Sequence, residues 1–168
     1  MNHDADELAL SDFQKYFPHT PAALCIKECA RLSALRKYDC PDPILDVGCG
    51  DGLFATIAFS DAEVWGIDID AKEGRWAAAS RAYSQVILGD VTRAHLPQDF
   101  FSTCVANCSL EHVPRLDLAL DNIRRSLKPG GRMLMFVPNR EWAKHLLSYR
   151  TLSALGAPAL ANVLREAI

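Results

Sequence analysis

Three carboxylates recur in the first half of the sequence, each beside a short apolar run. Asp46 stands in Ile44-Leu-Asp-Val47, Asp68 closes Val64-Trp-Gly-Ile-Asp68, and Asp90 follows Leu88-Gly89. Between the first two lies Gly48-Cys-Gly-Asp-Gly52. Its glycines allow backbone conformations closed to other residues and let a ligand approach the main chain. A glycine-rich turn alone is weak evidence, but this one leaves an apolar strand and enters a helical pattern, as nucleotide-binding turns do. Asp68 follows roughly 20 residues on, the spacing at which a βαβ unit sets an acid against the ribose hydroxyls of a bound adenosine. Two charge-assisted hydrogen bonds of about 1.5–3 kcal/mol each would form there; the bland alternative is a solvated aspartate at a strand end. Asp90 could accept from an adenine amino group with Val91 against the ring, or could simply cap a turn.

The elements that must position these residues alternate. Ile44–Val47, Val64–Ile67, Val86–Leu88, Thr103–Ala106 and Met133–Val137 read as buried strands. Leu53–Phe59 and Lys72–Arg81 read as helices, and Leu116, Leu120, Ile123 and Leu127 fall on one face of a third. Lys128-Pro-Gly-Gly131 stops it. Short apolar strands separated by helices predict an α/β fold, a Rossmann-like doubly wound sheet of five parallel strands with helices on both faces. A ligand belongs above the carboxyl ends of its strands, at the switch point beside the first. Ahead of the sheet, residues 1–12 are polar and acidic and read as a frayed leader. Residues 13–40 read as a helical segment, with Leu24, Cys25, Cys29, Leu32 and Leu35 at helical steps and Pro18 and Pro21 dividing it. Residues 44–139 form the core and 140–168 a helical tail, so 1–168 reads as one domain.

Composition narrows the class. With 49% hydrophobic and 23% charged residues, the chain is an ordinary globular protein. A net charge of −3 gives no basic footprint for nucleic acid. The cysteines at 25, 29, 40, 49, 104 and 108 form no CxxC pair and have no completing histidines nearby; reduced thiols are expected, with no metal. No apolar run reaches the roughly 18 residues of a membrane span, and the acidic start has no signal-peptide pattern. A cytoplasmic location is the expectation.

In order, Asp-Val-Gly-Cys-Gly-Asp-Gly (46–52), Gly-Ile-Asp (66–68), Gly-Asp-Val (89–91), Asn-Cys-Ser-Leu-Glu-His-Val (107–113) and Leu-Lys-Pro-Gly-Gly (127–131) resemble the class I S-adenosylmethionine-dependent methyltransferases. The nearest branch is methyltransferase type 11, with the ubiquinone and menaquinone biosynthesis enzymes. The resemblance runs from about Ile44 to Asn139. It implies S-adenosylmethionine as cofactor and S-adenosylhomocysteine as product. It also implies that Asp46 and the backbone of Gly48 and Gly50 meet the methionyl end, Asp68 the ribose, and Asp90 and Val91 the adenine. Asn107 would lie near the methionyl amine and sulfonium, and Cys49, Gly52 and Ile69 complete the expected cofactor-binding set. The family fold adds two strands after the fifth; residues 138–168 read as helix, so that C-terminal pair is expected to be missing. An unpaired fifth strand would be an aggregation liability.

Methyl transfer from a sulfonium is an in-line displacement in which the cofactor carries its own leaving group. The protein's task is orientation, a contribution of about 7–11 kcal/mol when complete. A base is required only where the acceptor must lose a proton. Glu111 and His112 are the best-placed residues for that; a helix start and a packing histidine are the competing readings. Tyr16 and Phe17 could cover the cofactor or belong to the core. Asn107 is followed by Cys108 and Ser109, not by the two prolines and aromatic of amino-methylating nucleic-acid enzymes. This points to a small-molecule or lipid-precursor acceptor, held between segments 13–40 and 138–168. Two alternatives stand: a non-catalytic subunit that binds S-adenosylmethionine, and a nicotinamide-dependent oxidoreductase, whose fingerprint wants a glycine where Leu53 stands.

Overall fold

The apolar runs become strands β1 (Ile44–Val47), β2 (Val64–Asp68), β3 (Gln85–Leu88), β4 (Phe101–Asn107) and β5 (Leu127–Phe136). In the computed structural model, which describes residues 3–138, they join in the order β3-β2-β1-β4-β5, every pair parallel. After β3 the chain crosses to the other side of β1, so the switch point lies between β1 and β4. The register carries Asp46 opposite Gly66 and Val105, Asp68 opposite Leu88, and Asn107 opposite Phe136. The chemistry-bearing side chains therefore collect at one end of the sheet.

Helices α1 (His3–Tyr16), α2 (Ala22–Leu35), α3 (Leu53–Ala58), α4 (Ala71–Ala79) and α5 (Leu116–Ser126) cover both faces. The two-residue period of the strands explains how. On one face Leu45, Val47, Ile67, Cys104 and Ala106 pack with Ala119 and Ile123 of α5. On the other, Ile44, Val64 and Val105 meet Leu35 with Phe54 and Ala58 of α3. Each such side chain contributes about 1.5–3 kcal/mol when fully buried. Tyr16, Cys25 and Leu32 form a further cluster that packs on Leu53, Phe54 and Ile57. Asp70 caps α4 by accepting from the amides of Lys72 and Glu73.

The structure corrects three expectations. Residues 3–12 are not a frayed leader but most of α1. Asp12 on this helix is buried and forms a two-pronged ion pair with Arg36, just past α2. Removing Arg36 would strand a buried carboxylate, a loss of about 3–5 kcal/mol. In α5 the buried stripe is Ala119, Ile123 and Ser126, whereas Leu116 and Leu120 are 39% and 38% exposed. Small residues let the helix lie close to the sheet. Finally, Lys128-Pro-Gly-Gly131 sits within β5 as an excursion: Phe101 pairs with Leu127, and pairing resumes at Thr103 with Arg132.

The chain divides after Phe136 into two compact units. The expected tail at 140–168 lies outside the described residues, and so does the segment on which the missing strand pair was inferred. Among the described residues no helix is long and apolar enough to cross a membrane, and no cluster of metal-ligating side chains occurs. All six cysteines are free; Cys25, Cys49 and Cys104 are buried.

Candidate functional site

Two cavities open at the carboxyl end of the sheet, and Gly48 lines both. The first, about 240 Å³, has the glycine turn as one wall and Tyr16, His19, Thr20, Leu24 and Glu28 from the α1–α2 region as another, with Asp46 and Asn107 also lining it. The second, about 300 Å³, is lined by Asp68, Ile69, Gly89, Asp90 and Val91 together with Cys108, Ser109 and His112. The sequence-predicted residues are thus brought together as two groups on either side of one glycine. Of the expected cofactor-binding residues, Gly52 is the one that lines neither cavity.

The turn shows why. Gly48 has φ +74°, and a Cβ there would lie 2.2 Å from Cβ of Ser109. Its bareness lets the segment after β4 close against β1, where the Ser109 hydroxyl donates to the Val47 carbonyl. Gly50, also in the left-handed region at φ +53°, gives its N–H to Asp68 Oδ2 at 2.8 Å. Gly52 instead packs the start of α3 on α4: a Cβ would stand 3.1 Å from the Ala77 Cα. The contact around Gly52 is helix packing, away from both cavities. Cys49 lines the first cavity, but its sulfur lies over Gly66, where a Cβ would meet it at 2.9 Å.

The acids differ in their bracing. Asp46 is buried, and its Oδ2 accepts from the Tyr83 hydroxyl at 2.7 Å. Burial pushes its carboxyl up to about 6 against the opposing effect of that bond, with the nearby charge of Asp68 adding to the rise. Asp68 accepts from the amides of Gly50 and Asp70, both at 2.8 Å, so it holds the glycine turn as well as lining the second cavity. Asp90 accepts from the Thr92 amide at 2.8 Å, and this bond holds its carboxyl below the ordinary value. Turn cap and cavity lining are therefore the same residue. Val91 is buried and Ile69 exposed beside it.

Asn107 is part of a polar chain that the sequence did not reveal. Its Nδ2 donates to Glu28 Oε2 at 2.9 Å, and Arg31 donates to the other Glu28 oxygen. The second guanidinium nitrogen of Arg31 donates to the Cys108 sulfur at 2.8 Å. Asn107 Oδ1 and the Tyr16 hydroxyl are buried with no hydrogen-bond partner, the two such side-chain atoms among the described residues. A legible signal existed: Glu28 falls on the buried stripe of α2, three residues after Cys25 and four before Leu32, where a carboxylate needs a partner. Tyr83 had no comparable signal.

Glu111 and His112 form a single 3-10 turn with Leu110. Both are exposed. His112 lines the second cavity with Asp68 and Asp90, away from the Asn107 cavity, and Glu111 lines neither.

Comparison with known proteins gives this arrangement a family. The family described as methyltransferase domain matches residues 45–135, more than half of the chain. An uncharacterised methyltransferase of Mycobacterium bovis is 36% identical over 93 residues, covering 54% of this chain and 47% of the relative. A ubiquinone/menaquinone biosynthesis C-methyltransferase of Burkholderia multivorans is 29% identical over 126 residues, covering 67% and 52%. The chain thus spans about half the length of these curated relatives. Among solved structures, an S-adenosylmethionine-dependent methyltransferase from Mesorhizobium loti superposes with a TM-score of 0.58 at 26% identity, covering 67% of this chain and 54% of that one. A five-stranded parallel sheet with the glycine turn at its switch point, and a family match spanning that sheet from β1 into β5, place the chain in the methyltransferase domain family.

Proposed function

We propose that this chain binds S-adenosylmethionine across Gly48 and transfers its methyl group to a small-molecule or lipid-precursor acceptor by in-line displacement. The observation that carries the reading is the contrast between two adjoining cavities. Among the described residues the first is lined by carboxylates (Glu28, Asp46, Asp51) and by no lysine or arginine, which suits a cationic end. The second pairs acceptors, Asp68 and Asp90, with the apolar Ile67, Ile69 and Val91, which suits a ribose and a purine. The buried, unpartnered Asn107 Oδ1 and Tyr16 hydroxyl fit the same molecule, since a polar ligand would satisfy them.

When bound, S-adenosylmethionine supplies an electrophilic methyl and its leaving group. The chain's own part is to hold and orient. Asp68 accepts from ribose hydroxyls, Asp90 from the adenine amine, and the backbone at Gly48 and Gly50 lies against the methionyl end. Asn107 fixes the ammonium side. His112 faces the adenosine cavity, so neither it nor Glu111 is proposed as a base for the acceptor. The acceptor class rests on the relatives, one of which is named for ubiquinone and menaquinone biosynthesis, and on the net charge of −3, which disfavours polyanions. A reducing, cytoplasmic setting is proposed from the six free thiols.

Calorimetry with S-adenosylhomocysteine and with NAD tests the cofactor; tighter binding of NAD would sink the reading. Radiolabelled methyl transfer into a small-molecule extract tests catalysis and separates an enzyme from a non-catalytic binding subunit.

A further inference from the structure

The polar chain from Cys108 to Asn107 has a chemical consequence for the first cavity. A carboxylate only accepts hydrogen bonds. Glu28 accepts on one oxygen from Arg31 and on the other from Asn107, so the Asn107 amide must turn its NH₂ toward Glu28. Arg31 is itself held at the far end by the Cys108 sulfur. The amide is therefore locked, and its carbonyl oxygen is the atom left unpartnered. Tyr16, only 2% exposed, lines the same cavity with an unpartnered hydroxyl. Buried polar atoms are rarely left so. A lone acceptor and a lone donor in one cavity are complementary to a group that is both donor and acceptor.

We infer that α1 and α2 supply half of a clamp for the amino-acid end of the cofactor: Tyr16 donates to its carboxylate, and Asn107, oriented by Glu28 and Arg31, accepts from its ammonium. The inference rests on the S-adenosylmethionine reading and adds to it residues that lie ahead of the family match. Glu28 acts as a positioning residue, through Asn107. Among the described residues the cavity is lined by no lysine or arginine, and the donors they offer the carboxylate are neutral, the Tyr16 hydroxyl and the turn amides. The ammonium is drawn to the acid-lined side.

The test is calorimetry on the full chain with three ligands. S-adenosylhomocysteine has the whole amino-acid end; its deaminated analogue lacks only the ammonium; methylthioadenosine lacks the entire amino-acid end. Tyr16→Phe is expected to weaken the first two ligands about five- to tenfold and leave methylthioadenosine unchanged, the scale of one lost hydrogen bond. Glu28→Ala should weaken S-adenosylhomocysteine about tenfold and spare the other two, while Glu28→Gln, which still accepts from Asn107, recovers most of the loss. Equal losses on all three ligands would assign these residues to packing and overturn the clamp. No loss on S-adenosylhomocysteine would assign the two orphan atoms to buried water and overturn it as well. Failure of the unmutated chain to bind any of the three would strike the cofactor reading itself.

Discussion

The two cavities are built from similar residue types but finished differently. In the second, each acid is already braced: Asp68 by the Gly50 and Asp70 amides, Asp90 by that of Thr92. The bracing comes from the turns that follow β1, β2 and β3, each donor within 18 residues of its acid. In the first cavity the polar groups come from α1, α2 and β4, up to 79 residues apart in sequence, and two buried atoms remain without partners. One half of the site is preorganised by local turns. The other is assembled by tertiary packing and is completed by what binds there. Adenosine recognition should accordingly be robust to changes in α1 and α2, and amino-acid recognition sensitive to them.

The strongest way to break this comparison is at the shared wall. Gly48→Val combines a left-handed backbone with a Cβ 2.2 Å from Ser109 and should destabilise by about 2–6 kcal/mol. Binding in both cavities should be lost together, measured by denaturant unfolding and calorimetry. A variant that loses only one ligand end would show the cavities to be independent. Asp68→Ala comes next. It should weaken S-adenosylhomocysteine by about 2–4 kcal/mol and methylthioadenosine equally, since it acts on the adenosine side. Selective loss of the amino-acid contribution would mean that its brace on the Gly50 amide matters more than its reach to the ribose.

Asp46 sharpens the comparison through pH. Its folded value of about 6 lies above the ordinary 3.8, so the native state holds the proton more tightly than the unfolded chain. The stability this contributes is complete below the unfolded value and is lost as pH rises through the folded one. Asp46→Asn keeps an acceptor for Tyr83 and removes the titration. Above the folded value the variant should be more stable, on the order of 1–3 kcal/mol, with the gap vanishing in acid. Parallel stability curves for the two proteins would show that Asp46 is not protonated on folding. The smallest effect is expected away from both cavities. Leu120→Lys, on the exposed side of α5, should shift stability by less than about 0.5 kcal/mol, whereas Ala119→Leu on the buried side should cost about 1–3 kcal/mol by overpacking.

That last pair marks what the sequence could and could not carry. Strands of a sheet covered on both faces are nearly continuous apolar runs, so β1 was legible to the residue and the acids at the strand ends came with it. The face of α5 was not, because Leu116/Leu120/Ile123 and Ala119/Ile123/Ser126 have the same helical spacing, and only the distance to the sheet selects the smaller set. Helix α1 was hidden for another reason. Its composition is polar, and its anchor joins Asp12 to Arg36 across 24 residues, a pairing that no local pattern announces. Asn107, the last residue of β4, is singled out by the family resemblance alone; its partners Glu28 and Arg31 lie ahead of the resembling motifs, and their one local sign is that Glu28 interrupts an apolar stripe.

The six free thiols turn the same architecture into a clock. Burial pushes the thiols of Cys49 and Cys104 well up, and Cys25 is sealed between helices with no exposed surface. A thiol reacts as the thiolate and only when reached, so alkylation at these positions counts openings of the structure. Cys25 times the α1–α2 layer, and Cys104 the centre of the sheet. Mass spectrometry of a labelling time course would read both from a single sample. Cys25 labelling ahead of Cys104 would reveal a helical layer that opens before the sheet does, and S-adenosylhomocysteine should slow the Cys25 reaction more than methylthioadenosine does.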